Sequence, residues 1–561
     1  MSNESLHAAK HGPRFVLPVT SRRFGVVPEA ATPPPAEPPL EIDEIQGNVI
    51  PGFNKDHQVL VFLNLLDVPK AKAWLRATTP QIATAREVLA FNRLFRELRA
   101  RRGAEPTSLR VVWMNLAFSF SGIERLTSDA AGFPEGAFRA GLPARSALLG
   151  DPTDPNSAGH PSRWLVGAEG NVPDLLMIVA GDDPGDTERK VARLLGLDPT
   201  RELPAAGAEL PACGLRVAFI ENGAVLPQKG HEHFGFKDGI SQPGVRGTAS
   251  DAPDDFLTPR TLPAGDPLAP FFGKPGQLLI WPGEFILGHR RQHDSEPLES
   301  LDPIAPQPAW TRNGSFLVFR RLRQDMAAFQ RFLEVSTERL RQVQGLENLD
   351  VAAVGARFVG RWKSGAPLMR APRMDDPLPG ADDTTSNHFF FAQETAPVTL
   401  PGEPPQLIPG CPADTAGFLC PHAAHVRKVN PRDVSSDSGS SLTRRMLRRG
   451  VPYGPPFDPG EPASAEADRG LLFLAYTASI EETFELLQQT WCNDPLQPEP
   501  GGHDPIIGQN PDDPQRRRSF TLSVAPGVSV TLTVEGEWVV ATGGGYFFSP
   551  ALSAIVEHLA S

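Results

Sequence analysis

The chain has 561 residues, 40% hydrophobic and 21% charged, a globular composition with length enough for two cores. Its formal net charge of −12 argues against nucleic acid as a partner, because that binding energy comes mostly from clustered Lys and Arg. Four cysteines are too few for a disulfide-built scaffold, and no apolar run approaches the ~18 residues of a membrane helix, so a cytoplasmic chain with reduced thiols and no membrane partner is expected.

Residues 1–41, ending in the proline-rich stretch Ala30 to Pro39, read as a flexible tail. Arg22-Arg23 is followed only by Phe24 to Val27 before Pro28, far short of a secretory apolar segment. Residues 58–66 (QVLVFLNLL) predict a buried strand. Asp67 then N-caps a helix to about Ala77, with Pro69 in the first turn, where no intrahelical hydrogen bond is lost. A second strand is predicted over 174–180, a helix from about Thr187 to Leu195, and a closing strand over 214–220. The second half repeats the pattern, with a strand over 315–322, a helix from Asp325 through Leu333, a strand over 471–476, a helix from about Ile480 to Gln489 and a strand over 537–541. Strand-helix-strand units run twice in each half predict an α+β chain of two ferredoxin-like domains, residues 42–270 and 271–561. Sixty prolines and 51 glycines agree with long loops. The insertions at roughly 125–165, 245–310 and 370–445 exceed plain connections, so some of them are expected to carry function.

Three clusters offer chemistry. In His231 to Pro243 (HEHFGFKDGISQP), glycines let the backbone turn tightly, so Asp238 projects from a rigid turn; a plain surface turn is the bland alternative. In Cys411 to Arg432, small residues leave the ring of His425 free to reach a metal. Zinc held by Cys411, Cys420, His422 and His425 is a rival reading, with poor spacing. In Leu442 to Gly454 (LTRRMLRRGVPYG), apolar residues interrupt the charges, so at least one arginine points inward and needs an anion or dipole there.

Taken together, Gly235 to Pro243, Ala424 to Arg432 and Leu447 to Gly454 strongly resemble DyP-type (dye-decolourising) peroxidases. Ile45 to Asn48, Asn313 to Phe319, Gly360 to Gly365 and Gly543 to Phe548 support the likeness, which covers about residues 42–555. The resemblance implies two ferredoxin-like domains of the dimeric α/β-barrel type and one non-covalent haem b held largely by the second. It implies His425, not His422, as the iron ligand, Asp238 as the distal acid and Arg448 as the distal arginine. It implies a carboxylate on the far nitrogen of His425, for which Asp504 is the choice and Glu481 the alternative. Leu471 and Phe473 resemble apolar residues on the peroxide side, and Arg427 is expected to meet a haem propionate. The expected activity is oxidation of bulky organic donors, such as dyes and phenols, by hydrogen peroxide. Bulky donors would be oxidised at a surface Trp or Tyr, among eight Trp and three Tyr (Tyr453, Tyr476 and Tyr546).

Overall fold

The computed structural model describes residues 15–16, 35–104, 106, 109–458 and 467–561. In the first half, β1 (His57–Leu65) leads into α1 (Val68–Thr78), where the Asp67 side chain accepts the Lys70 N–H at 3.1 Å as the N-cap. Next come β2 (Trp113–Phe118), β3 (Leu175–Gly181), α2 (Pro184–Leu194) and β4 (Leu215–Ala224). In the second half, β5 (Ser315–Gln324) leads into α3 (Met326–Leu340), again capped by an aspartate, Asp325 on the Ala328 N–H. An interrupted strand follows, β6 (Leu447–Arg448) and β7 (Val451–Tyr453), then β8 (Gly470–Thr477), two consecutive π-helical turns (Glu481–Glu485 and Leu487–Cys492) and β9 (Val539–Ser549).

Both halves are antiparallel sheets with the same strand order. The first runs β2-β3-β1-β4, and the second runs β9-β5-β8 with β6 and β7 beside β8. The sheets join at Phe118 with Phe548 and at Gly223 with Tyr453, so the hydrogen-bonded circuit closes into a barrel. Strand side chains alternate between faces. Leu60, Phe62, Leu317, Phe319, Leu472, Leu474 and Phe547 fill the barrel, while Val59, Val61, Phe316 and Val318 pack outward with the helices. Phe62 lies at the centre, its ring 5.0 Å from Phe319 and 6.3 Å from Phe547, contacts that cross from one sheet to the other.

The two halves are also stitched by Arg449, in the break between β6 and β7. Its guanidinium donates to the carbonyls of Asn48 at 2.9 Å and Val49 at 2.8 Å.

Two expectations change. The tail was expected to run to residue 41, yet residues 35–41 belong to the fold. Leu40 is buried, and Glu37 pairs with Arg260 at 2.6 Å and with buried Arg246 at 3.3 Å, so releasing the segment would strand two guanidinium groups. Apart from Phe15–Val16, which pair with Val434–Ser435, the expected tail up to residue 34 lies outside the described residues. A division at residue 270 falls inside a packed segment, because Gly244–Val245 pairs in parallel with Leu279–Ile280 across it.

Phe62→Ala removes a fully buried ring where the two sheets meet. A loss of about 3–5 kcal/mol is expected, read as a lower midpoint of chemical unfolding. An unchanged midpoint would mean that the barrel interior repacks freely around the void.

Candidate active site

The outer face of the first sheet is covered by helices. On the second sheet that face carries a cavity of about 310 Å³. Alternation sets most of its floor, Arg320, Leu322 and Gln324 from β5 and Leu471 and Phe473 from β8, and a bulge at Thr542 turns Val539 and Ala541 of β9 onto the same face. Phe484 and Leu487 of the π-helical turns form part of the wall.

His425 opens a four-residue helix, His425–Lys428, behind the fully buried Ala423 and Ala424. Its Nδ1 lies 2.8 Å from Asp504 Oδ2. Asp504 is completely buried, and its Oδ1 accepts the N–H groups of Ile506 at 2.8 Å and Ile507 at 2.9 Å. Those donors keep the carboxylate ionised: burial pushes its pKa up, but His425 and the two N–H groups outweigh it and leave it lowered. Burial likewise pulls His425 down, and Asp504 more than reverses this. An acceptor on Nδ1 fixes the proton there, so Nε2 is the nitrogen left with a lone pair for the cavity that His425 lines.

Asp238 and Arg448 line the same cavity. Asp238 closes a tight hairpin in which His231 bridges Lys237 and the Asp238 N–H donates to Gly230 O at 2.8 Å. Gly235 (φ 88°) and Gly239 (φ 75°) supply the left-handed backbone this turn requires. Asp238 Oδ1 accepts the Gly239 N–H at 2.6 Å and lies 3.5 Å from Arg448 Nη1. Both side chains remain partly exposed, 45% for Asp238 and 31% for Arg448, so neither is used up in a tight pair. Glu232, earlier in the hairpin, accepts from the Phe234 and Phe236 N–H groups and from Gln324 Nε2. Burial pushes its carboxyl up to about 7.

A third group of residues is cationic. Arg361, Arg432 and Arg445 line the cavity, and among the described residues none has a carboxylate partner. Arg361 and Arg432 donate to backbone carbonyls and to Asn387, while the buried Nε of Arg445 has no acceptor. Burial depresses all three, Arg361 and Arg445 to about 10. Arg361 is buried and Arg432 and Arg445 half-buried, and guanidinium groups gathered in this way without counter-charges suit a ligand that brings carboxylates.

Residues 44–197 match the family model described as the DyP dimeric alpha+beta barrel domain, and residues 285–498 match Dyp-type peroxidase, C-terminal. The chain belongs to the DyP-type peroxidase family. It is 30% identical over 538 residues to Peroxidase 2 of Mycetinis scorodonius, covering 93% of this chain and 88% of that one. It is 27% identical to the multifunctional dye peroxidase of Amycolatopsis sp., covering 91% and 94%. Among solved structures, an ancestral D-type dye decolorizing peroxidase aligns with a TM-score of 0.70 at 31% identity, over 93% of this chain and 100% of that one. A dye-decolorizing peroxidase variant from Pleurotus ostreatus aligns with a TM-score of 0.72 at 27% identity, with the same coverage.

In this DyP-type peroxidase the structure brings His425, Asp504, Asp238, Arg448, Leu471 and Phe473 to one site. Glu481, the alternative to Asp504, instead accepts the Ala137 N–H at 2.7 Å. Arg427 is a correction. It is wholly buried away from the cavity, held by Glu499 at 2.6 Å and by the carbonyls of Asp414 and Cys420. Although it shares the short helix with His425, it does not line the cavity, whereas Arg361, Arg432 and Arg445 do. The zinc alternative does not assemble: Cys411 donates to Met369 O, His422 faces Thr415 O and Pro500 O, and no three metal-binding side chains group among the described residues.

Two predictions concern the ligand-free protein. Arg445→Met removes a half-buried charge whose Nε has no acceptor, so the unfolding midpoint is expected to rise, by the equivalent of about 1 kcal/mol; a fall would show that the guanidinium is already neutralised. Glu232 binds its proton more tightly folded, at about 7 against 4.5. Its contribution therefore weakens as pH rises from 4.5 to 7, by an order of 3 kcal/mol in total, about 1.4 per unit. The stability difference between wild type and Glu232→Gln, followed by urea unfolding across that window, should trace this slope, and a pH-independent difference would refute it.

Proposed function

We propose that the cavity binds haem b through His425 Nε2, and that the protein uses hydrogen peroxide to oxidise bulky organic donors such as dyes and phenols. The observation that carries this reading is the His425–Asp504 hydrogen bond, 2.8 Å long, in a cavity that also contains the Asp238–Arg448 pair. The cavity's cations fit the group: Arg361, Arg432 and Arg445 would neutralise its two carboxylates, and the orphaned Nε of Arg445 would gain an acceptor.

When bound, the haem supplies the redox chemistry, taking two electrons' worth of oxidation from peroxide and passing it to donors. The protein's part is position and field. Asp504 holds the Nδ1 proton of His425, fixing the tautomer and making Nε2 a stronger donor. Asp238 accepts one peroxide proton and returns it to the departing oxygen, as a carboxylate free of a tight ion pair is able to do. Arg448, always protonated, stabilises negative charge developing on that oxygen. Leu471 and Phe473 keep the surroundings apolar, which strengthens both effects.

Bulky donors do not fit a cavity shaped for peroxide and haem, so their electrons enter from the surface. All three tyrosines are buried, at 2% exposure or less. Of the eight tryptophans only Trp113 and Trp310 are half-buried, and these become the candidates for a surface relay. All four cysteines are unpaired and buried, which suits a reducing compartment such as the cytoplasm.

Reconstitution with haem should give a Soret band in wild type, and His425→Ala should lose the axial nitrogen signature. In variants that still bind haem, Asp238→Ala and Arg448→Leu are each expected to slow the reaction with peroxide by about 10²–10³. Full activity in both variants would refute the assignment, and a protein that takes up no haem would refute the whole reading.

A further inference from the structure

Arg448 sits on an open edge. Strand β6 pairs with β8 on one side, with Arg448 opposite Ala475. The next residue, Arg449, donates its N–H to Leu474 O on β8 at 2.7 Å. Backbone groups of an antiparallel strand alternate in direction, so Arg448 turns its own N–H and C=O away from β8. Without Gln242 the N–H would be unpaired and the C=O would keep only Arg449 Nη1, at 3.0 Å; Gln242 Nε2 donates to Arg448 O at 3.0 Å and its Oε1 accepts the Arg448 N–H at 3.3 Å. A primary amide offers one donor and one acceptor side by side, and here it pairs with Arg448 as a neighbouring strand's backbone would.

Gln242 lies four residues beyond Asp238 on the same rigid turn and does not itself line the cavity, although Gly239, Ile240, Ser241 and Pro243 do. We propose that Gln242 is a positioning residue which, by completing the edge of β6, sets the distance between Asp238 and Arg448. That distance is 3.5 Å, longer than the about 2.7–2.9 Å of a fully formed charge-assisted bond. Asp238 Oδ1 is turned back onto the Gly239 N–H. The two functional groups are thus near enough to act on one substrate and too far apart to satisfy each other. Freed from Gln242, the edge of β6 and the turn can shift, and a tight pair would take both groups out of use.

This inference rests on the roles proposed above for Asp238 and Arg448. Its test uses haem-loaded Gln242→Met, which keeps the shape and loses both hydrogen bonds, and Gln242→Glu, which keeps only the acceptor for the Arg448 N–H. Gln242→Met is expected to slow the reaction with peroxide about ten- to a hundredfold while leaving the KM for a dye donor and the unfolding midpoint close to wild type. Gln242→Glu should recover part of that loss. In an Asp238→Ala background Gln242→Met should have little further effect, because it acts through the same pair; a crystal structure of the variant should show a shorter Asp238–Arg448 contact. Wild-type peroxide kinetics in Gln242→Met, or losses that add fully to those of Asp238→Ala, would overturn the positioning role alone. Unimpaired kinetics in Asp238→Ala itself would bring down the proposed function first, and this inference with it.

Discussion

Alternation of side chains along β5, β8 and β9 governs this molecule. One face of each strand must fill the closed barrel, and Leu317, Phe319, Leu472, Leu474 and Phe547 do so. The other face is then committed as well: Leu322, Leu471 and Phe473 point outward whether or not a helix covers them, and a bulge at Thr542 of β9 turns Ala541 out beside them. In the first half helices cover that face. In the second half the long insertions stand off from it, and the space between them and the sheet is the cavity. A one-residue slip of β8 would move Leu471 and Phe473 into the barrel and put Leu472 into the site.

Charge is distributed on this frame in two different ways. On the His425 side a fully buried carboxylate is satisfied completely, by an imidazole and two backbone N–H groups, which makes that wall rigid. Elsewhere the charges are left incompletely satisfied: a loose Asp238–Arg448 contact, and three guanidinium groups without carboxylates, Arg361 buried and Arg432 and Arg445 half-buried. Rigid support beneath and unspent charge around the cavity are what a site needs if it is to hold an anionic cofactor and act on a small polar oxidant.

Much of this was legible in the sequence, for identifiable reasons. The strands over 58–66, 174–180, 315–322 and 471–476 are apolar on both faces because one face meets the barrel interior and the other meets helices or the cavity. Aspartates at 67 and 325 mark helix starts because each accepts a first-turn N–H. Two strands of the barrel went unassigned. Trp113–Phe118 is short and is followed by a helix of only seven residues, Phe120–Leu126, and the β6–β7 strand is split by Arg449-Gly450 and so reads as a charged loop. At the site, motifs pointed to His425, Asp238 and Arg448, which line one cavity. Arg427 was misassigned because proximity in sequence to His425 does not tell which side of a short helix faces the cavity, while Glu499, 72 residues away, claims its guanidinium. Arg361 and Arg445 carry no local signal that they line the cavity, since their place there and the lack of a counter-charge are visible only in three dimensions.

The interruption between β6 and β7 makes the molecule indivisible in a particular sense. At that break consecutive arginines face different ways, Arg448 into the cavity and Arg449 to the carbonyls of Asn48 and Val49, some 400 residues earlier in the chain. The guanidinium next to the reactive centre is therefore anchored by the opposite end of the polypeptide. Two fragments made separately, one per ferredoxin-like unit, would each retain a recognisable topology, but the strand bearing Arg448 would have lost its mooring. A ribosome releasing this chain has supplied the anchor long before the arginine that needs it emerges.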